Sequence, residues 1–373
     1  MKVAILTNNF PPAVDGVGDY SFNLATEFKK NGHDVLVICK KNTHLYENQS
    51  EVYPFINTWN FQSCLTLNKF LSIHKPDWLF LQYVPNSFSK WAMPIWIPLL
   101  LLMCKRYGVK ISITFHEVYV RMTYWPIKYW IMAFIQRVIC FFLLQIADVI
   151  ITSIDFYKLL LEKYSRKSIH LIPIGSNILP VQVSDEDIIA IRKVIAPKDE
   201  DILSTFGIRN HNLLIKVYYE VCKRHPETKL LICGKLQISK ELEPIYNQIR
   251  DNVYETGYLP NAEVYRMLRA SDIFFLPDPV TNVFEGGTSN KSTSLAAALL
   301  ARLPVVGTRG DMNNALLKQT PGVFLEDASQ PVQIAERLLS ILNSQQQPEA
   351  ISQFFYRHLS WEATYQRYVD LCS

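Results

Sequence analysis

The sequence predicts an α/β protein of two doubly wound domains, each a parallel sheet covered by helices on both faces. Three observations carry this prediction. The chain has 373 residues, 49% hydrophobic and 19% charged, enough to fill more than one core and too apolar for a disordered protein. Short, continuously apolar runs alternate with longer amphipathic stretches, the pattern of strands buried on both faces between crossover helices. The runs also fall into two sets, separated by Pro173-Ile174-Gly175-Ser176-Asn177 and an acidic stretch at 184–195.

The first set opens with an apolar strand at 2–8, followed by a loop rich in proline and glycine at 9–18 and an amphipathic helix at 20–30. Further strands are expected at 34–39, 78–82, 110–115, 148–152 and 170–174. The second set begins near Asp201 and continues at 229–233, 273–276, 304–307 and 322–325. A last amphipathic helix at 360–371 carries Trp361. The expected domains are 1–180 and 181–355, with a helical segment at 356–373 packing back on the first. Ligands of such sheets bind beyond the carboxyl ends of the strands, so the cleft that the two domains face is the expected site.

Charge excludes one class of partner. Lys plus Arg number 38 against 34 Asp plus Glu, a net charge of +4, too weak for a dedicated nucleic-acid binder. Its distribution is uneven, with +7 on residues 1–180 and −3 on residues 181–373. The excess sits at 90–167, where 11 basic residues meet four acidic ones and four of the seven Trp also fall. The seven cysteines are scattered and never spaced Cys-x-x-Cys, which argues for reduced thiols in a cytoplasmic protein rather than a disulfide framework or zinc site. The apolar stretch at 3–6 is too short for a signal peptide. The uncharged run at 91–104 holds 14 residues and two prolines, short of the roughly 18 to 20 that a spanning helix needs. The run at 129–147 is interrupted by Arg137.

The segment 277–308 carries the most chemistry. A strand ending at Pro277 is followed by Glu285-Gly286-Gly287-Thr288-Ser289-Asn290-Lys291-Ser292-Thr293-Ser294 and then a helix at 295–301. Helix-start N–H groups, small hydroxyl side chains and the Lys291 ammonium make a phosphate cradle. The same residues also fit a plain turn at Gly286-Gly287 with Ser294 as a helix cap. A second glycine-ended strand, Thr205-Phe206-Gly207-Ile208-Arg209, supplies Arg209 as either a phosphate clamp or a solvated surface residue. In the first half, Asp15-Gly16-Val17-Gly18-Asp19 lets backbone approach a ligand just before a helix, without completing a dinucleotide fingerprint or a Walker loop. His116-Glu117 follows a strand and lands at the carboxyl edge of its sheet, although a lone His is more often structural. No His/Asp/Glu spacing suggests a metal site.

Taken together the chain resembles a retaining GT-B glycosyltransferase of family 4, the bacterial enzymes that build capsules, O-antigens and other cell-surface polysaccharides. The resemblance rests on Leu6-Thr7-Asn8-Asn9-Phe10-Pro11-Pro12 with Gly16-Val17-Gly18-Asp19-Tyr20, on Leu81-Gln82-Tyr83, on Thr114-Phe115-His116-Glu117 and on Ile172-Pro173-Ile174-Gly175. The second half adds Thr256-Gly257-Tyr258-Leu259-Pro260, Ser271-Asp272-Ile273-Phe274-Phe275-Leu276-Pro277 and Leu303-Pro304-Val305-Val306-Gly307-Thr308. It implies two Rossmann-like domains, the second holding a nucleotide-sugar, with uridine the favoured base. The base would sit at Tyr258 and Leu259, the diphosphate at Arg209 and Lys291, and the sugar under Glu285, Gly286 and Gly287, with Thr288, Ser289 and Asn290 nearby. Gly16, Val17 and Gly18 would approach the phosphates, and His116 the reacting sugar; His116, Glu285 and Lys291 are the expected catalytic residues. No metal or other cofactor is expected, because fixed cations and helix-start N–H groups stabilise the leaving diphosphate.

The sequence departs from the family pattern twice. Many relatives carry a second Glu in the donor loop where this chain has Thr293, and the usual Lys that follows the phosphate-binding Arg is absent after Arg209. A sugar-nucleotide epimerase of the same architecture and a catalytically silent scaffold therefore stay open. The resemblance also implies an acceptor linked to a lipid such as polyprenyl diphosphate. Lys105, Arg106, Arg121, Lys128 and Arg137 beside Trp125 and Trp130 then form an expected membrane-facing surface, the alternative being that both stretches are core helices. The expected location is cytoplasmic, peripherally bound to the inner face of the plasma membrane.

Overall fold

The computed structural model describes residues 1–13, 15–41, 51–122, 126–280, 286–345 and 347–373; Trp125 and Glu285, both given roles above, lie outside the described residues. Within these the chain forms two compact units, Met1–Pro173 with Thr364–Ser373, and Ile174–Ala363.

The first unit is a seven-stranded parallel sheet of β1 (Lys2–Leu6), β2 (Asp34–Lys40), β3 (Val52–Ile56), β4 (Trp78–Tyr83), β5 (Lys110–Phe115), β6 (Val149–Thr152) and β7 (Ile169–Leu171), in the order β3-β2-β1-β4-β5-β6-β7. Helices α1 (Gly16–Lys30), α2 (Phe61–His74), α3 (Ile97–Lys105), α4 (Ile127–Ile146) and α5 (Asp155–Glu162) make the crossovers. Strand β4 is buried along its whole length, as a strand covered on both faces must be. The edge strand β3 escaped the sequence pattern because it is half-buried and contains Pro54, which only an edge tolerates. Helix α1 starts four residues before its expected position, because the Asp15 side chain caps it by accepting from the Gly18 N–H at 3.3 Å.

The second unit is a six-stranded parallel sheet of β8 (Ile202–Phe206), β9 (Lys229–Cys233), β10 (Val253–Glu255), β11 (Ile273–Leu276), β12 (Val305–Thr308) and β13 (Val323–Glu326), in the order β10-β9-β8-β11-β12-β13. Its helices are α6 (Asp185–Ile195), α7 (His211–Arg224), α8 (Glu243–Ile249), α9 (Asn261–Arg269), α10 (Thr293–Leu300), α11 (Ala315–Lys318), α12 (Pro331–Leu342), α13 (Pro348–His358) and α14 (Trp361–Cys372), the last of which runs on into the first unit. Alternation along the strands divides the core. Leu231, Phe274 and Val305 pack with α9, α10 and α13, whereas Leu230, Phe275 and Val306 pack with α7 and α12.

The sequence put the first boundary at 180 and the last segment at 356; the compact units divide instead at Pro173 and Ala363. Residues 174–183 go with the second unit because Ile178 joins its core, the Ile174 N–H donates to the Asn290 carbonyl at 3.0 Å, and the Ser176 carbonyl accepts from Trp361 Nε1 at 2.7 Å. Phe355 and Leu359 hold α13 in the same core. Only from Thr364 onward does α14 join the first unit, where Tyr368 is buried against Phe80, with ring centroids 5.2 Å apart, and its hydroxyl lies 3.1 Å from that of Tyr20.

Candidate active site

In the second sheet β8 and β11 are neighbours, yet β8 leads outward to β9 on one side and β11 to β12 on the other. The loops leaving their carboxyl ends therefore diverge, and such a switch point is where an open α/β sheet offers a crevice. Gly207 ends β8 at a φ of +68°, and a Cβ there would lie 2.4 Å from Ser294 Oγ. Only glycine lets the end of β8 rest against the first turn of α10. Two residues on, Arg209 Nη1 lies 3.7 Å from Asp278 Oδ1, at the end of β11; the Arg209 side chain is 53% exposed and that of Asp278 is 3% exposed. Burial pushes the Asp278 carboxyl above its usual value, with Arg209 opposing.

Helix α10 is capped by Ser292, which accepts from the Leu295 N–H at 3.3 Å, rather than by Ser294. Lys291 therefore immediately precedes the cap of a helix buried from Ser294 to Leu300. The loop leading to it is braced against the end of β12 and the residues after it. The Gly286 N–H donates to Asp311 Oδ1 at 2.7 Å, the Thr308 N–H to Thr288 Oγ1 at 3.0 Å, and Asn290 Nδ2 to Asn314 Oδ1 at 3.0 Å. Gly287 has a φ of +86°, and a Cβ there would meet the Gly310 nitrogen at 2.7 Å. Thr288, Ser289 and Asn290 are all buried. The Thr288 and Asn290 side chains hold the loop through these contacts.

Beside Gly207 a cavity of about 450 Å³ opens across the carboxyl ends of β8, β9 and β10, lined by Ile208, His211, Lys235, Gln237, Tyr258 and Leu259 among others. Tyr258, 86% exposed, presents a ring face, and Lys235 Nζ stands 5.9 Å from its centroid. His211 Nδ1 accepts from the Gln237 N–H at 3.1 Å, and burial holds the imidazole below its usual value against the opposing charge of Glu255. His211, Lys235 and Gln237 were missed in the sequence. The signal that finds Lys235 is Gly234-Lys235 directly after an apolar strand, the pattern already seen at Gly207.

In the first unit His116 is buried just after β5, its Nε2 donating to Gln82 Oε1 at 2.9 Å and its ring meeting Tyr20 edge-on at 4.8 Å. Gly16, Val17 and Gly18 form the first turn of α1 rather than the loop expected before it. A Cβ on Gly18 would lie 3.1 Å from the Asn9 carbonyl oxygen, so this glycine serves close backbone packing, whereas Gly16 is exposed with open space before it. Among the described residues no group of three or more His, Cys, Asp or Glu is placed to hold a metal ion.

The basic aromatic surface divides. Lys105 pairs with Asp148 at 2.8 Å, and Arg137 stacks 4.2 Å above the Tyr119 ring centroid while donating to the Ala133 carbonyl at 2.7 Å. Lys105 is exposed and Arg137 half-buried, so both expected membrane-facing cations also serve contacts within the first unit. Arg106, Arg121, Lys128 and Trp130 are exposed. Helix α4 runs unbroken through Arg137 and is, among the described residues, the helix long and apolar enough to cross a bilayer by length and composition. One of its faces is buried through Ala133, Ile139, Cys140 and Leu143; the other exposes Ile127, Trp130, Ile131, Phe134, Val138 and Phe141.

Comparison with known proteins agrees with this architecture. Residues 14–178 match the family model described as Glycosyltransferase Family 4, and residues 204–358 that of Glycosyl transferases group 1. A curated relative, the alpha-monoglucosyldiacylglycerol synthase of Streptococcus pneumoniae, is 24% identical over 298 residues, which cover 74% of this chain and 65% of the relative. The chain thus spans about two thirds of the length of the curated relative it matches. Sucrose-phosphate synthase from Thermosynechococcus elongatus superposes with a TM-score of 0.67 at 16% identity, covering 100% of this chain and 98% of the other. Anabaena HepE, solved in complex with UDP and glucose, does so with a TM-score of 0.67 at 13% identity, covering 99% and 98%. With both halves matched in tandem and the whole chain sharing the fold, the protein belongs to the GT-B glycosyltransferases of family 4.

Proposed function

We propose that the protein transfers a sugar, with retention of anomeric configuration, from a uridine-diphosphate sugar to a lipid-linked glycan or glycolipid at an anionic membrane surface, as a step in building a cell-surface polysaccharide or glycolipid. The crevice at the β8/β11 switch point carries this reading, because it brings Arg209, the start of α10 and the Tyr258 cavity to one sheet edge. The uracil rests on Tyr258 and Leu259, and the diphosphate takes Arg209, Lys291 and the N–H groups opening α10. Gly286 and Gly287 admit the sugar, and Gly16 and Val17 offer the first-turn N–H groups of α1.

In the reacting complex the acceptor hydroxyl attacks the anomeric carbon on the face the phosphate leaves. The bond from anomeric carbon to phosphate oxygen breaks as the new glycosidic bond forms, and the departing phosphate oxygen takes the hydroxyl proton. Fixed cations and helix-start dipoles stabilise the charge that develops on UDP, so this reading needs no metal. His116 keeps the role the family resemblance gives it. The UDP and glucose bound by HepE support the donor class, and the glucosylated lipid that the curated relative is named for making supports a lipid acceptor.

The deciding experiment offers the protein a panel of nucleotide sugars with and without lipid acceptors in vesicles. Release of free UDP together with an α-linked product by NMR is expected. Interconversion of the sugar moiety would assign an epimerase instead, and absence of any nucleotide binding would sink the reading.

A further inference from the structure

Asp278 is the most deeply buried acidic side chain at the sheet edge described above; the Arg209 charge and the Thr288 hydroxyl oppose its burial, and neither carboxylate oxygen makes a well-formed hydrogen bond among the described residues. Such a group is costly, since a buried carboxylate with so few donors loses its hydration and regains little. The Asp278 carbonyl is well held, accepting from Thr308 Oγ1 at 2.9 Å, so β11 delivers the side chain to a fixed place. The charge facing it is Arg209, at 3.7 Å on the other wall of the switch point, its side chain about half exposed. A guanidinium has five N–H donors in a planar fork. Engaging it through Nη1 leaves the rest of the fork for a ligand and restricts where a long, half-exposed side chain can swing.

We propose that Asp278 is a positioning residue for the donor diphosphate: its buried carboxylate holds Arg209 at the crevice so that the free edge of the guanidinium meets the phosphates already oriented. The carboxylate accepts a stability cost in exchange for a smaller ordering cost when the ligand binds. This inference rests on the donor site proposed above and adds a residue that does not itself touch the donor.

Calorimetric titration with UDP of the full chain and of Asp278→Asn, Arg209→Ala and the double variant tests it. Asp278→Asn keeps the shape and removes the charge; UDP affinity is expected to fall about tenfold while the melting temperature stays level or rises. In the Arg209→Ala background the Asp278 substitution is expected to change nothing further. Equal losses in both backgrounds, unchanged affinity, or tighter binding by Asp278→Asn would each overturn the positioning role. If Asp278→Asn loses its fold, Asp278→Ser makes the same comparison. Failure of the unaltered protein to bind UDP overturns the donor site itself, and so is distinguishable from failure of the cycle.

Discussion

His116 Nε2 and Gln82 Oε1 lie 2.9 Å apart, both residues buried at the carboxyl edge of the first sheet. The amide oxygen fixes which imidazole nitrogen carries the proton and holds the ring edge-on to Tyr20. Replacing Gln82 by Leu strands a buried N–H, which costs about 1–3 kcal/mol. The expected outcome is a lower denaturation midpoint together with a reduced kcat, while donor KM stays near its original value. His116→Asn is expected to reduce kcat without the stability loss. An unchanged kcat in both variants would remove His116 from the chemistry.

Gly207 is expected to tolerate no side chain. Its φ of +68° alone costs a non-glycine residue about 1–2 kcal/mol, and the 2.4 Å approach to Ser294 Oγ adds a clash that pushes α10 away from β8. Gly207→Ala should therefore weaken UDP binding as well as stability. Adding Ser294→Ala removes the clashing oxygen and leaves Ser294 Cβ at 3.6 Å, so partial recovery of both is expected in the double variant. Thermal unfolding with and without UDP reads this out.

Much of this architecture is legible in the sequence for a simple reason. Runs such as Val3-Ala4-Ile5-Leu6 and Ile273-Phe274-Phe275-Leu276 are apolar without interruption because helices cover both faces. What escaped the pattern is what burial does not mark. Strands β3 and β10 lie at sheet edges, and β10 is three mostly exposed residues. Lys235 and His211 share a cavity with Gly207 only because the sheet order sets β9 beside β8, which no spacing along the chain reveals. Charge patterning likewise cannot reveal that the Arg137 guanidinium donates to the protein's own carbonyls. The start of α1 was hidden because Gly16 and Gly18 are poor helix formers and Asp15 supplies the missing signal through its side chain.

Acidification is expected to cost stability through His211. Burial lowers its folded-state value, so below the ordinary value of about 6.5 the unfolded chain binds the proton first. Stability present above that value is then lost as pH falls toward the lowered one. His33 and His170 shift in the same direction, also chiefly through burial. Melting temperatures measured between neutral pH and about pH 5 should fall, and His211→Gln should flatten the slope. A slope that survives unaltered in His211→Gln would place the effect elsewhere.

In the proposed reading Arg209, Lys291 and the start of α10 supply the positive charge at the leaving group, so metal removal is expected to leave turnover unchanged. Initial rates in excess chelator, compared with rates in added magnesium or manganese, check this. Loss of activity restored by one of these ions would show that the diphosphate needs a cation the side chains do not provide.

The exposed face of α4 gives the last expectation. Ile127, Trp130, Phe134, Val138 and Phe141 recur at helical spacing on the side away from Leu143, and Lys167 Nζ closes the helix by donating to the Leu144, Gln145 and Ala147 carbonyls. A stripe of this length, with Lys128 at its first turn, suits a helix lying in the plane of a headgroup layer rather than crossing it, because its other face is committed to the protein core. Phe134→Glu removes apolar burial of about 1.5–3 kcal/mol on the membrane side and leaves the core untouched. Its partitioning onto phosphatidylglycerol vesicles is expected to fall at least tenfold, with no change in melting temperature. Lys128→Glu should weaken binding by a smaller, salt-dependent amount, near about 1 kcal/mol for each charge altered. Arg137→Glu, by contrast, should lower the melting temperature, because it loses the Tyr119 stack and both carbonyl contacts. Equal partitioning of Phe134→Glu and the unaltered protein would show that this face meets something other than a bilayer.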